Sequence, residues 1–187
     1  MLNKKSKRKK LNQKRNSLNS DQVNEFSLQI CLRILDSEVF KSSQCVALYS
    51  AFKNEADLSV LLNSKKKLCL PVVLNNNAMV FHYCDVNTSF SKNKYGILEP
   101  QNDKIVNTNE IDLCLLPLVG FNRVGHRLGM GGGYYDRYFE HNKSQEKPTI
   151  LVGVAYDFQE DDTIKSESWD VPLDLIFTNK EVINSGE

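Results

Sequence analysis

Val23, Phe26, Ile30 and Ile34 recur at spacings of three and four, which gives a helix one apolar face. Asn19-Ser20-Asp21 supplies its N-cap. Beyond that helix the period changes. Residues 45–50 (CVALYS), 67–73, 78–84, 111–118 (IDLCLLPL), 149–155 (TILVGVA) and 174–178 (DLIFT) form apolar runs of strand length. Residues 56–64 read as a short helix, Asn75-Asn76-Asn77 as a turn between two strands, and 87–94 as a polar loop.

Runs that are apolar on both alternating positions suit strands covered on both faces. The predicted fold is therefore α/β: a single-domain three-layer sandwich over residues 1–187, with a mostly parallel sheet and one antiparallel hairpin at the asparagine turn. A length of 187 residues suits one such domain, and 41% hydrophobic residues suffice for its core. No apolar run approaches the ~18 residues of a membrane helix, so a soluble, cytoplasmic protein is expected.

Charge adds one feature. Residues 1–15 carry eight of the 24 basic residues and no acid, leaving 16 basic against 23 acidic residues afterwards, a net of −7. A mildly acidic body thus follows a basic arm or helix over 1–18, which lacks the apolar segment of a secretory signal. The first ten residues contain only Met1 and Leu2 as apolar groups, so their removal is expected to leave the body folded. Cys31, Cys45, Cys69, Cys84 and Cys114 form no CxxC pair and lie in or beside apolar runs, as buried reduced thiols would.

The candidate chemistry follows the strand at 111–118. Four of nine glycines fall within 129–133, ahead of a helix expected from Tyr134 to about His141. Such a loop can converge backbone N–H groups on an anion, or merely bend. It has neither the Lys-Ser/Thr of a P-loop nor a dinucleotide fingerprint in phase. Asp136, in the helix's first turn, is either a helix-end carboxylate or a Mg²⁺ ligand beside phosphates. Tyr135 and Phe139 suit packing, whereas Tyr134 projects from a different face.

The segment LPLVGFNRVGHRLGMGGGYYDR, Leu116 through Arg137, resembles the signature of the 5-formyltetrahydrofolate cyclo-ligase (methenyltetrahydrofolate synthetase) family. The resemblance extends to the basic N-terminal helix, Tyr49 to Glu55, Leu70-Pro71-Val72-Val73, residues 95–100 (YGILEP) and 170–174 (DVPLD). It implies closure of 5-formyltetrahydrofolate to 5,10-methenyltetrahydrofolate, driven by ATP with Mg²⁺ and releasing ADP and phosphate.

By the same resemblance, Lys4, Arg8, Arg127, Leu128, Gly129, Met130, Gly131, Gly132, Gly133, Tyr134 and Tyr135 bind ATP. Ser50, Glu55, Tyr95, Met130 and Tyr134 meet the folate; Asp136 and Asp174 ligate the metal, with Asp170 competing for the second place. Tyr134 and Arg127 are the catalytic candidates, the first to orient the formyl group and the second to neutralise charge. The chain departs from the family pattern at Asn122, where Asp is common, at Trp169, where His often stands, and at Gly132, where some relatives have Lys. Two other readings remain: a nucleic-acid binder using its basic arm, and a non-catalytic nucleotide-binding regulator. Small-molecule substrates and no membrane are the expected partners.

Overall fold

The computed structural model describes residues 3–75 and 78–185, so Asn76 and Asn77 of the expected turn lie outside the described residues. Two helices open the chain: α1 (Lys4–Asn16), capped by Asn3, and α2 (Ser20–Asp36), closed at its start by a reciprocal Asn19/Gln22 capping box. A short α3 (Glu38–Ser42) leads into β1 (Cys45–Ala47), β2 (Lys67–Val73) and β3 (Met79–Cys84). Next come β4 (Phe90–Lys92), β5 (Leu98–Pro100), β6 (Ile105–Val106), β7 (Leu113–Pro117), β8 (Gly120–Phe121) and β9 (Arg127–Leu128). The chain ends with α4 (Tyr134–Tyr138), β10 (Ile150–Val154), β11 (Leu175–Phe177) and β12 (Val182–Asn184).

The central sheet runs β12-β11-β10-β7-β1-β2-β3-β6. Its five inner strands, β11 to β2, are mutually parallel; β3, β6 and β12 add antiparallel edges. Alternate residues feed two cores. Val46, Leu113, Leu115 and Val152 meet Ile30, Ile34 and Phe40 on the α2–α3 face; Ala47, Cys114, Leu116 and Leu151 meet Phe139 on the α4 face. All five cysteines are free and buried in these cores. Among the described residues no helix is long and apolar enough to cross a membrane.

Several local expectations need correction. Residues 87–94 are not wholly a loop: β4 pairs with β5, because Phe90 packs on the α2-side core. The stretch 56–64 holds only a 3-10 turn at Ser59–Asn63, and α4 stops at Tyr138, short of His141. The antiparallel component is larger than one hairpin, since β4–β5 and β8–β9 form two more small sheets.

The basic segment is a docked helix. Lys7, Leu11 and Arg15, four apart, form its buried stripe. Leu11 packs with Val119, Leu128 and Ile164, while the Lys7 ammonium pairs with Asp161 at 3.2 Å. Deleting residues 1–10 would therefore remove half of a packed helix, contrary to the expectation that the body would not notice. Leu11→Ala is expected to cost about 2–5 kcal/mol in urea unfolding. Amide exchange should speed up across α1 before it does in β7; unchanged protection of α1 would show that this contact does not hold the helix.

Candidate functional site

In the sheet order, β1 continues to β2 on one side and β7 continues to β10 on the other, so the topology reverses between β1 and β7. Ligands of open parallel sheets bind outside the strand carboxyl ends at such a point. A cleft of about 1280 Å³ lies there, lined by Tyr49 and Ser50 beyond β1, Pro71 and Val73 of β2, and Leu116 and Pro117 of β7. That is more than the usual ~300–1,000 Å³ of a single-ligand pocket, so two substrates can share it.

One end of the cleft is cationic. The β8–β9 hairpin returns the chain to the cleft and delivers Arg127, 9% exposed, which forms an ion pair with Asp136. The Asp136 Oδ1 also accepts the Val171 N–H at 3.2 Å. Among the described residues its carboxylate bonds to no N–H of its own helix, which argues against a capping role. The Arg127 Nη1 is buried without a hydrogen-bond partner. A buried guanidinium nitrogen left unpaired in a cleft wall is one that an oxyanion ligand would complete on displacing the Asp136 carboxylate.

Arg8 reaches the glycine loop from α1, its Nε donating to the Gly129 carbonyl at 2.8 Å. Gly131 has φ +104°, which side-chain-bearing residues rarely adopt, and a Cβ there would sit 3.6 Å from the Arg8 guanidinium. The loop thus needs glycine for its turn, while the distance to Arg8 would leave room for a Cβ. With five residues, α4 adds less dipole than a full helix would. Lys4, one turn before Arg8, pairs with Glu167 and Asp170, both at 3.2 Å.

The other end is aromatic and carboxylate-bearing. Tyr95 and Tyr134 share a hydroxyl–hydroxyl hydrogen bond of 3.1 Å, which lowers the pKa of Tyr95 and raises that of Tyr134. Asn93 accepts the Tyr95 and Ile97 N–H groups and donates to Glu99, which also accepts the Val73 N–H. Glu99 therefore shapes the Tyr95 loop rather than facing a ligand. Ser50 donates to the Leu98 carbonyl at 2.6 Å. Glu55, 9% exposed, lines the cleft with its pKa raised by burial and pulled back by Arg15. Met130, 54% exposed, sits on the rim.

The residues expected at the site thus come together, with one exception. Asp174 is not among the cleft-lining residues; its carboxylate accepts the Leu151 N–H at 2.7 Å, at the amino end of β10. The site opens at strand carboxyl ends, so a residue that begins its strand cannot face it. Asp170 does line the cleft. Sequence reasoning also missed Trp169 as a cleft residue; it is 69% exposed on the rim.

The 5-formyltetrahydrofolate cyclo-ligase family model matches residues 1–179, which include both walls of this cleft. The chain belongs to that family. It is 33% identical over 165 residues to the 5-formyltetrahydrofolate cyclo-ligase of Haemophilus influenzae, covering 84% of this chain and 86% of that one. The Mycoplasma genitalium cyclo-ligase is 31% identical over 185 residues, covering 96% and 99%. Among solved structures, the 5,10-methenyltetrahydrofolate synthetase of Aquifex aeolicus superposes with a TM-score of 0.84 at 32% identity, covering 98% of this chain and 93% of that one. The Aquifex aeolicus synthetase thus shares the fold of this chain, and the two cyclo-ligases are matched over most of their length.

If the open Arg127 nitrogen is an anion position, inorganic tripolyphosphate should raise the wild-type melting temperature, by an amount that follows ligand concentration over Kd. Arg127→Met should lose most of that rise. A wild-type protein indifferent to millimolar tripolyphosphate would leave the loop as a bend and nothing more.

Proposed function

We propose that the protein catalyses ATP-dependent closure of 5-formyltetrahydrofolate to 5,10-methenyltetrahydrofolate, releasing ADP and phosphate. The observation that carries this is one cleft with two chemically opposite ends. Lys4, Arg8, Arg127 and the glycine loop form a polyphosphate end; Glu55, Ser50, Tyr95 and Tyr134 form an end suited to a flat, hydrogen-bonding pterin. Met130, in the glycine loop at the rim, and Tyr134, just after that loop, would contact both substrates.

Phosphoryl transfer asks a protein for alignment and charge neutralisation rather than a covalent group. The formyl oxygen attacks the γ-phosphorus and ADP leaves; nitrogen 10 then attacks the activated carbon and phosphate departs. Arg127 and Arg8 offset the charge gathering on the phosphoryl oxygens, and the Tyr134 hydroxyl, steadied by Tyr95, orients the formyl group. Lys4 and Arg127 are paired with carboxylates in the free protein, so the polyphosphate would take those cations over and release Asp136 and Asp170.

Mg²⁺ fits this donor set in part. Asp136 places a carboxylate in the cleft wall, and Mg²⁺ commonly takes one or two carboxylates plus phosphate oxygens. Asp136 would hold the ion with the phosphates, Asp170 and Glu167 being further cleft carboxylates beside Lys4; bound there, it would supply further charge neutralisation. The five buried, free thiols fit a reducing compartment such as the cytoplasm.

The direct test is the methenyl-folate absorbance band with 5-formyltetrahydrofolate, ATP and Mg²⁺; no signal at high enzyme from folded protein would reject the proposal. Asp136→Asn should retain the fold, lose most turnover and require more Mg²⁺, whereas normal turnover with an unchanged Mg²⁺ titration would reduce Asp136 to a partner for Arg127. Tyr95→Ala should raise the folate KM several-fold, from ~0.5–1.5 kcal/mol of lost stacking, and leave the ATP KM nearly unchanged. Equal losses for both substrates would assign Tyr95 to the fold.

A further inference from the structure

Arg15 is the largest of the fully buried side chains, 1% exposed, and none of the chemistry above uses it. It belongs to the basic segment, yet it points away from solvent and from the cationic end of the cleft. Its Nη1 lies 3.3 Å from Glu55 Oε1 and donates to the Leu118 carbonyl at 3.3 Å, just past β7. Its Nε is buried with no partner. The backbone joins in: Asn54 donates to the Arg15 carbonyl at 3.2 Å and to the Leu18 carbonyl at 2.9 Å, so the last turn of α1 holds the turn that carries Glu55. Within that turn Lys53 has φ +50°, an uncommon conformation for a residue with a side chain, and Glu55 Oε2 accepts the Phe52 N–H at 3.0 Å.

We propose that Arg15 is a positioning residue for the folate end of the cleft, fixing the Glu55 carboxylate in the cleft wall so that its remaining acceptor capacity is presented to the pterin. The inference rests on the reading of Glu55 as a folate contact and adds the group that aims it.

Burial of a carboxylate alone favours its neutral form, and a neutral acid presents a proton where the pterin's N–H groups need an acceptor. The other ionisable groups facing Glu55 are phenols: Tyr49 beyond β1, Tyr135 on α4 and Tyr156 beyond β10. All three have raised pKa values, first through burial, so they stay neutral and cannot compensate the carboxylate. Among these neighbours Arg15 is the sole cation. It works from behind, on Oε1, while the Phe52 N–H holds Oε2. One rigid helix then serves both ends of the cleft, with Lys4 and Arg8 at its start and Arg15 in its last turn.

The experiment measures equilibrium binding of 5-formyltetrahydrofolate without ATP, across pH, for the full-length wild type, Arg15→Met, Arg15→Lys and Glu55→Gln, with ATP binding and thermal melting in parallel. Wild-type folate binding should weaken as pH falls through the Glu55 titration. In Arg15→Met that loss should move to higher pH, because burial is then opposed only by the Phe52 N–H, and affinity at neutral pH should fall about tenfold or more. ATP affinity should change less than about twofold. Arg15→Lys keeps the cation without the fork and should fall between the two, which keeps the test open if Arg15→Met does not fold. Glu55→Gln should bind weakly with no such pH dependence. An unmoved acid limb in the Arg15 variants, or equal losses for ATP and folate, overturns the proposal alone; a Glu55→Gln variant that binds folate as wild type does overturns both the proposal and the reading of Glu55.

Discussion

Burial of the Arg15 guanidinium is the constraint on which the arrangement of the cleft depends. A charge this far from water costs several kcal/mol unless it is paired, and removing one partner of such a pair is worse than never having had it. Arg15 meets that demand only where α1, the Glu55 turn and the end of β7 converge. The helix can therefore take one axial position with little tolerance for sliding. Lys7 adds a second buried cation on the same stripe, paired with Asp161, and Leu11 fills the space between them. Because side chains four apart share a face, fixing that stripe also fixes the adjacent one, where Lys4 and Arg8 reach the cleft.

The acidic excess of the body has a local explanation in these contacts. Asp161, Glu167, Asp170 and Glu55 are the carboxylates that receive the cations of α1. Three of the eight cations of this segment, Lys4, Lys7 and Arg15, are thus paired with carboxylates of the body. Lys5, Lys9 and Lys10 remain exposed, while Lys14 lies over the Phe158 ring at 4.7 Å.

Periodicity exposed the fold well where a segment was long and its environment uniform. Residues 67–73 are strand from end to end, and Asn19 caps α2, because a two-sided apolar strand and a capping box are both local patterns. β4 escaped because Phe90 is the only apolar residue among its three, and its burial is supplied by distant α2-side residues. The glycine loop and its neighbours were legible as chemistry, since a dense run of glycine has few other uses. Asp174 was misplaced because a motif fixes sequence spacing, not the end of the sheet from which a side chain emerges. Arg15 was invisible for the opposite reason: within a lysine-rich run, a buried arginine and a solvated one look alike. The one available signal was its spacing of four from Leu11, the single apolar residue of the helix.

Pairing of cations before substrate arrives also governs how the cationic end would respond to a polyanion. Lys4 and Arg127 already hold carboxylates, so binding a phosphate there exchanges one ion pair for another and yields less net energy than filling an empty cationic pocket. In return the guanidinium of Arg127 is held in place, and the entropy of ordering it is spent on folding rather than at the moment of binding. Its Nη1, buried and without a partner among the described residues, becomes a donor for an oxyanion once the pair with Asp136 opens. Arg8 is different: it donates to the Gly129 carbonyl, a neutral partner, and no carboxylate among the described residues forms an ion pair with it. Of the three cations it therefore retains the most uncompensated charge, and it does so against the loop whose glycines let a ligand approach the backbone.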